Sequence, residues 1–269
     1  MKKKFLLAMS MISRQRLLQA VSILGIGLSL TAQAAVTKEE AQRLDTDLTP
    51  LGAERAGNAA GTIPAWTGGL VEPPPGYKPG MFHPDPFPGD KILFTITAEN
   101  MSQYADHLTE GQKALLTQYA PDYVLHVYPT RRSAAYPERI YDLLKQNALT
   151  AELQEYGTGV RHTIGTSPFP IPKNGLEALW NHTLRYRGEE VVFRSAFVTP
   201  SVQGSYTPIE MEYSYYFTYS QPGAKLEDID NKIFYLKTQI LQPARMAGTM
   251  NLIHETLDQV RSPRLAWRY

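Results

Sequence analysis

Residues 211–219 read Met-Glu-Tyr-Ser-Tyr-Tyr-Phe-Thr-Tyr, and their alternation decides the fold. Met211, Tyr213, Tyr215, Phe217 and Tyr219 fall on one side of an extended chain, Glu212, Ser214 and Thr218 on the other, with Tyr216 the exception. That period of two is the mark of a half-buried strand. Residues 191–199, 232–240 and 251–260 repeat the pattern between turns rich in Pro, Gly and Asn. In the third of the four strands Phe234, Leu236 and Ile240 share a face opposite Lys237 and Gln239. With no helix between them, such strands form an antiparallel meander with one apolar face that has to be covered. Residues 263–269 read as the opening of a further strand, so the sheet is expected to be incomplete at the C-terminus, with an open edge.

Upstream of the meander the period is helical, which makes the fold class α+β. Asn174-x-x-Glu177 caps a helix over 175–186 that ends at Gly188, with Leu176, Leu179, Trp180 and Leu184 at helical spacing. Thr37-x-x-Glu40 and Thr109-x-x-Gln112 are capping boxes for helices over 38–44 and from 110 to about Tyr119. Pro137 opens another helix, where its missing N–H costs nothing. Residues 91–97 and 123–128 alternate as short strands. From Leu48 to Asp90, glycines and prolines, including Pro73-Pro74-Pro75-Gly76, exclude helix and central strand. Trp66, Tyr77, Phe82 and Phe87 are spaced through that tract, the pattern of an extended arm that packs on something.

Lys2, Lys3, Lys4, Arg14 and Arg16 precede an uncharged run from Leu17 to Leu30 and the small-x-small site Ala32-Gln33-Ala34. This is the order of a secretory signal peptide over 1–34, and the run is short of the ~20 residues that span a bilayer. The expected product is a soluble periplasmic protein with no integral membrane span. Its organisation is an N-terminal helix and arm over 35–90 and a single α+β domain over 91–269. The whole chain carries 27 basic and 26 acidic residues. Without 1–34 the balance is −4, from 22 basic and 26 acidic, which argues against nucleic acid as a partner. The hydrophobic 43% and charged 20% exclude wholesale disorder, and the absence of Cys excludes disulfides, thiolate metal sites and an acylated anchor.

Motifs for chemistry are thin, and no catalytic residue, metal or cofactor is expected. His254-Glu255-Thr256-Leu257-Asp258 opens like a zinc-hydrolase H-E-x-x-H, but Asp258 stands in the second His position and the segment reads as strand. No G-x-S-x-G occurs, and Gly157-Thr158-Gly159 lacks the third Gly of a phosphate loop. Glu189 and Glu190 are neighbours in an extended chain and point to opposite faces. Arg131-Arg132 and Arg185, Arg187 and Arg194 form small clusters, read as surface or ion-paired arginines, with a head-group contact as the alternative. What remains is an apolar lining: Met211, Tyr213, Tyr215, Phe217, Tyr219, Phe234 and Leu236 from the sheet, closed over by Leu176, Leu179 and Trp180. A lipid-like ligand needs buried apolar area and no reacting group.

Two stretches carry a family resemblance: Leu51-Gly52-Ala53-Glu54-Arg55-Ala56-Gly57-Asn58 with Ile63-Pro64-Ala65-Trp66-Thr67-Gly68-Gly69, and Gly175-Leu176-Glu177-Ala178-Leu179-Trp180-Asn181-His182-Thr183-Leu184-Arg185-Tyr186-Arg187-Gly188. On these the chain resembles the DUF1329 family of Gram-negative secreted proteins, whose members continue with further strands past the position of Tyr269. The resemblance implies a fold similar to the lipoprotein carriers LolA and LolB, a curved, unclosed half-barrel with covering helices over an apolar cavity. It also implies company with an outer-membrane DUF1302-type protein and an RND-type exporter. The expected function is a non-catalytic carrier of a hydrophobic ligand. The alternatives are an adaptor of an envelope transport complex, or a hydrolase using His254, Glu255 or Asp258.

Overall fold

Capping and turn chemistry set several of the element ends. The computed structural model describes residues 36–269, so the signal peptide expected over 1–34 lies outside the described residues. The chain divides into two compact units, 38–145 and 146–269, the latter including 36–37. Residues 91–145, expected with the sheet, fall in the first unit.

In the first unit helix α1 (Lys38–Gln42) runs into a 3₁₀ turn, Arg43–Asp45. Helix α2 (Glu110–Gln118) has a full capping box: the Thr109 hydroxyl accepts from the Gln112 N–H at 3.2 Å, and the Gln112 side chain accepts from the Thr109 N–H at 2.9 Å. Strands β1 (Phe94–Ile96) and β2 (Leu125–Val127) pair antiparallel and are shorter than the alternation predicts. The ladder stops because Asn100 takes over its end, accepting from the Thr97 N–H at 2.8 Å and donating to the Thr95 carbonyl at 2.9 Å.

The Pro/Gly tract is tied down by side chains rather than by a ladder. The Arg132 guanidinium donates to four carbonyls, those of Glu54, Arg55, Ala56 and Pro64, at 2.6–3.3 Å. The Trp66 indole N–H donates to the Ala134 carbonyl at 3.1 Å, and Arg55 lies over the Trp66 ring at 5.0 Å. At Gly69, φ is +77° and a Cβ would come within 2.3 Å of the Ala134 oxygen, so only glycine fits. Arg131 pairs with Asp90 and stacks on Phe87 at 4.8 Å. Phe82 stands out in solvent.

Helix α3 (Glu138–Thr150) carries the chain into the second unit. The hairpin β3 (Glu152–Leu153) and β4 (Val160–Arg161) follows, too short to register as alternation in the sequence. Helix α4 (Gly175–Leu184) is capped as expected, the Asn174 side chain accepting from the Glu177 N–H at 3.0 Å. Then comes a five-stranded antiparallel sheet in the order β5 (Glu190–Phe197), β6 (Ile209–Tyr216), β7 (Lys232–Gln242), β8 (Met250–Thr256) and β9 (Leu265–Arg268). It is an unclosed meander. Strand β6 stops at Tyr216, three residues before its expected end, because Thr218–Ser220 form a 3₁₀ turn held by the Thr218 hydroxyl on the Lys232 carbonyl. Strand β8 stops at Thr256 because the Asp258 carboxylate accepts from the Val260 and Arg261 N–H groups at 2.9 and 3.0 Å and turns the chain.

The core of this unit gathers at one end of the sheet. Ile233 and Leu257 lie at the ends of β7 and β8, and Leu184, Tyr219, Ile229, Phe169, Val160 and Ala151 join them. Residues 163–169 wrap this cluster and are pinned by two asparagines. Asn147 donates to the carbonyls of Ile164 and Ser167 at 3.0 and 3.3 Å and accepts from the Ile164 N–H at 3.2 Å. Asn181 exchanges two hydrogen bonds with the Phe169 backbone, at 2.6 and 2.8 Å.

Asn147 is fully buried, so Asn147→Ala orphans two carbonyls and an N–H and is expected to cost about 2 kcal/mol or more in urea unfolding. The Asp90 carboxyl, held below the ordinary carboxylate value chiefly by its hydrogen bond to Arg131, gives a pH test. A depressed folded pKa means that this contact stabilises above the ordinary value and is lost as pH falls through the lower folded one. Limited proteolysis around 85–92 is therefore expected to accelerate on acidification below about pH 4 in the wild type. In Asp90→Asn it is expected to be fast already at neutral pH.

Candidate functional site

The register of the sheet builds a row of rings on one face. Phe193 of β5 is opposite Tyr213 of β6, and Val191 is opposite Tyr215. The rings of Phe193 and Tyr213 stack at 4.7 Å, and those of Tyr215 and Phe217 at 5.1 Å. Phe234, at the start of β7, meets Tyr215 and Phe217 edge-on at 5.3 and 5.7 Å. Met211, opposite Ile240, and Leu236, opposite Tyr215, continue the same face. Phe217 and Leu236 are buried, Met211, Tyr213, Tyr215 and Phe234 half-buried, and Phe193 is 43% exposed. The row is thus packed at one end and open at the other.

Tyr219, expected in the row, leaves it. The 3₁₀ turn after Phe217 breaks the alternation and swings its ring into the end cluster, where it is 2% exposed. Its hydroxyl donates to the Thr166 carbonyl at 3.1 Å, so the Thr163 hydroxyl at 3.0 Å is the donor to it. Burial pushes the Tyr219 pKa above the ordinary phenol value. Helix α4 contributes to that end cluster through Leu184 and Trp180, whose indole N–H donates to the Gly157 carbonyl at 3.1 Å. Leu176 and Leu179, expected to close over the rings, are 46% and 58% exposed.

Two further groups join the face. Phe193 was outside the expected lining but carried a usable signal, since it alternates within 191–199. Arg187 was expected as a surface or ion-paired arginine, with a head-group contact as the alternative, and nothing in the sequence put it on the rings. Its guanidinium lies over the rings of Phe217, Tyr215 and Phe234 at 4.7, 5.5 and 6.0 Å. Desolvation against them, then the charge of Arg185, lowers its pKa from the ordinary arginine value. Arg185, Arg187, Thr183 and Leu184 from the chain after α4 meet Phe217, Ser220, Ile233 and Phe234 around an open cleft of about 220 Å³, solvent in its mouth included.

The opposite face carries a second aromatic series. Tyr216, Tyr235, His254 and Trp267 cross β6 to β9 with centroid separations of 6.4, 4.5 and 4.7 Å, the last two edge-on. An Arg194–Glu212 pair at 3.1 Å, opposite one another in register, sits on this side. His254 is therefore a ring between rings. Its neighbour Glu255 pairs with Arg264 at 3.1 Å, and Asp258 is spent on its turn and on the Gln154 amide at 3.0 Å. Among the described residues no group of three or more His, Asp or Glu side chains is placed to hold a metal ion. No helix among them is long and apolar enough to cross a membrane.

These features define an α+β protein whose open antiparallel sheet presents a ring-lined face beside an arginine. Residues 95–269 match the model of DUF1329, described as a protein of unknown function, and the chain belongs to that family. It is 43% identical over 255 residues to "Uncharacterized protein PA3922" of Pseudomonas aeruginosa, an overlap covering 94% of this chain and 56% of the relative. The chain thus spans little more than half the length of that relative. No solved structure matches it.

Because the Tyr219 hydroxyl is satisfied twice inside the cluster, Tyr219→Phe is expected to lose about 1–2 kcal/mol in urea unfolding. Leu176→Ser, at an exposed site, is expected to move stability by no more than about 0.5 kcal/mol.

Proposed function

We propose that this chain is a non-catalytic periplasmic binding protein that takes a lipid-like ligand on the ring-lined face of its sheet. One observation carries the reading: the Phe193–Tyr213–Tyr215–Phe217–Phe234 row is built of large rings yet left open at its Phe193 end. Each methylene laid on such a surface contributes up to about 0.8 kcal/mol, and no reacting group is needed. Open solvent apart, the cleft encloses only about 10 Å³, far below the ~300–1,000 Å³ of ligand pockets, so the ligand lies along the face rather than inside a cavity. The unclosed strand order supports a half-barrel of the LolA/LolB kind. Export rests on residues 1–34, and the DUF1329 resemblance supports a place beside an outer-membrane protein and an RND-type exporter. The separate engagements of His254, Glu255 and Asp258 support a role without catalysis.

Native mass spectrometry of protein purified from periplasm without detergent, followed by organic extraction, tests this. The expected result is a stoichiometric lipid whose occupancy falls in Phe193→Ala/Tyr213→Ala. A clean apo mass, with no uptake of a long-chain ligand in vitro, would sink the reading.

A further inference from the structure

Five arginines stand in the small basic clusters of this sequence, and the structure uses most of them up. Arg131 pairs with Asp90, Arg132 donates to four carbonyls, and Arg194 pairs with Glu212. Arg185 gives one N–H to the His182 carbonyl. Arg187 differs: among the described residues no ion pair joins it to a carboxylate, and the like charge of Arg185 acts against its own. The nearby Glu189 accepts from the Tyr186 hydroxyl at 2.9 Å. Two neighbouring cations at an apolar cleft, neither of them joined to a carboxylate by an ion pair among the described residues, repel one another and favour an anion.

The geometry sharpens this. Arg187 meets the rings of Phe217, Tyr215 and Phe234 with its guanidinium, and stacking of that kind consumes no N–H donor. The planar fork of donors stays free to bind a carboxylate through two parallel hydrogen bonds, which a lysine could not do. The residue keeps its solvent access, so the fork can be reached. It also stands at the packed end of the ring row, whose open end is Phe193, so charge and apolar track share one line of side chains. We infer that Arg187, assisted by Arg185, is the head-group subsite of the ring-lined face and takes the carboxylate of a long-chain fatty acid whose chain lies along the rings. This rests on the proposal that the face binds a lipid-like ligand, and adds the charge and chemistry of its polar end.

The test is a fluorescence titration of the full chain with cis-parinaric acid and with its methyl ester, at about pH 8, where the free carboxyl is ionised. The wild type is expected to bind the acid roughly tenfold or more tightly than the ester, the increment of a charge-assisted hydrogen-bond pair. Arg187→Gln is expected to bring the acid-to-ester affinity ratio close to one, the ratio being the readout, and Arg185→Gln to reduce it. Equal wild-type affinities for acid and ester would overturn the head-group assignment and leave the ring-face reading standing. Binding of neither would overturn the ring-face reading itself. A preference surviving in both variants would place charge selection elsewhere, and displacement by acetate as effective as by the long acid would show an anion site without a chain track. If Arg187→Gln does not fold, the wild-type comparison of acid, ester and acetate still decides.

Discussion

Tyr219 has to take a phenol into an apolar cluster, and the second unit is arranged around how that is done. The hydroxyl cannot be buried unpaired, so residues 163–166 are drawn over it to supply a hydroxyl and a carbonyl. Ser220 reinforces the same contact through the Gly165 carbonyl at 3.0 Å. Asn147 and Asn181 hold the segment from its other side, and Leu184 brings the end of α4 onto the ring's cluster. Because this network sits where β7 begins and β8 ends, it closes that end of the sheet and leaves the rest of the face to its own side chains.

That asymmetry explains the site. A strand running on through residue 219 would have put five large apolar groups on one face, to be covered by a helix as any amphipathic sheet is. The 3₁₀ turn at Thr218–Ser220 removes Tyr219 from that face and spends it on the core. Helix α4 follows the core, with Leu184 and Trp180 turned to it, while Leu176 and Leu179 remain in solvent. The ring row is then stabilised laterally, ring against ring, rather than from above. Arg187 extends this economy, since cation–π contact anchors the side chain without using its hydrogen-bonding capacity.

The two sheet faces illustrate how the same residue types serve different ends. Tyr216, Tyr235, His254 and Trp267 meet largely edge-on across strands, an arrangement that packs them against one another and gives His254 an apolar setting. Phe193, Tyr213, Tyr215 and Phe217 stack nearly parallel, with interplanar angles of 5–11°, and present a continuous surface. The H-E-x-x-D residues find separate partners: His254 sits between rings on β8, Glu255 on the other face pairs with Arg264, and Asp258, beyond the end of the strand, is held by its turn and by Gln154.

Short-range physics made much of this protein legible from its sequence. Asn174 and Thr109 announced their helices because a cap is a contact between residues three apart. Period-two alternation announced the meander and its face, including Met211, Tyr213, Tyr215, Phe234 and Leu236, because side-chain direction along a strand is fixed by backbone geometry. The exits of β6 and β8 were not legible, since a hydroxyl reaching the Lys232 carbonyl and a carboxylate folding back on two amides are choices the alternation does not record. Arg187 belongs to the same class. Whether an arginine beside a glycine pairs with a carboxylate, caps a carbonyl or lies on three rings depends on strands some thirty and forty-seven residues further along the chain, and only the tertiary structure brings those rings beneath it.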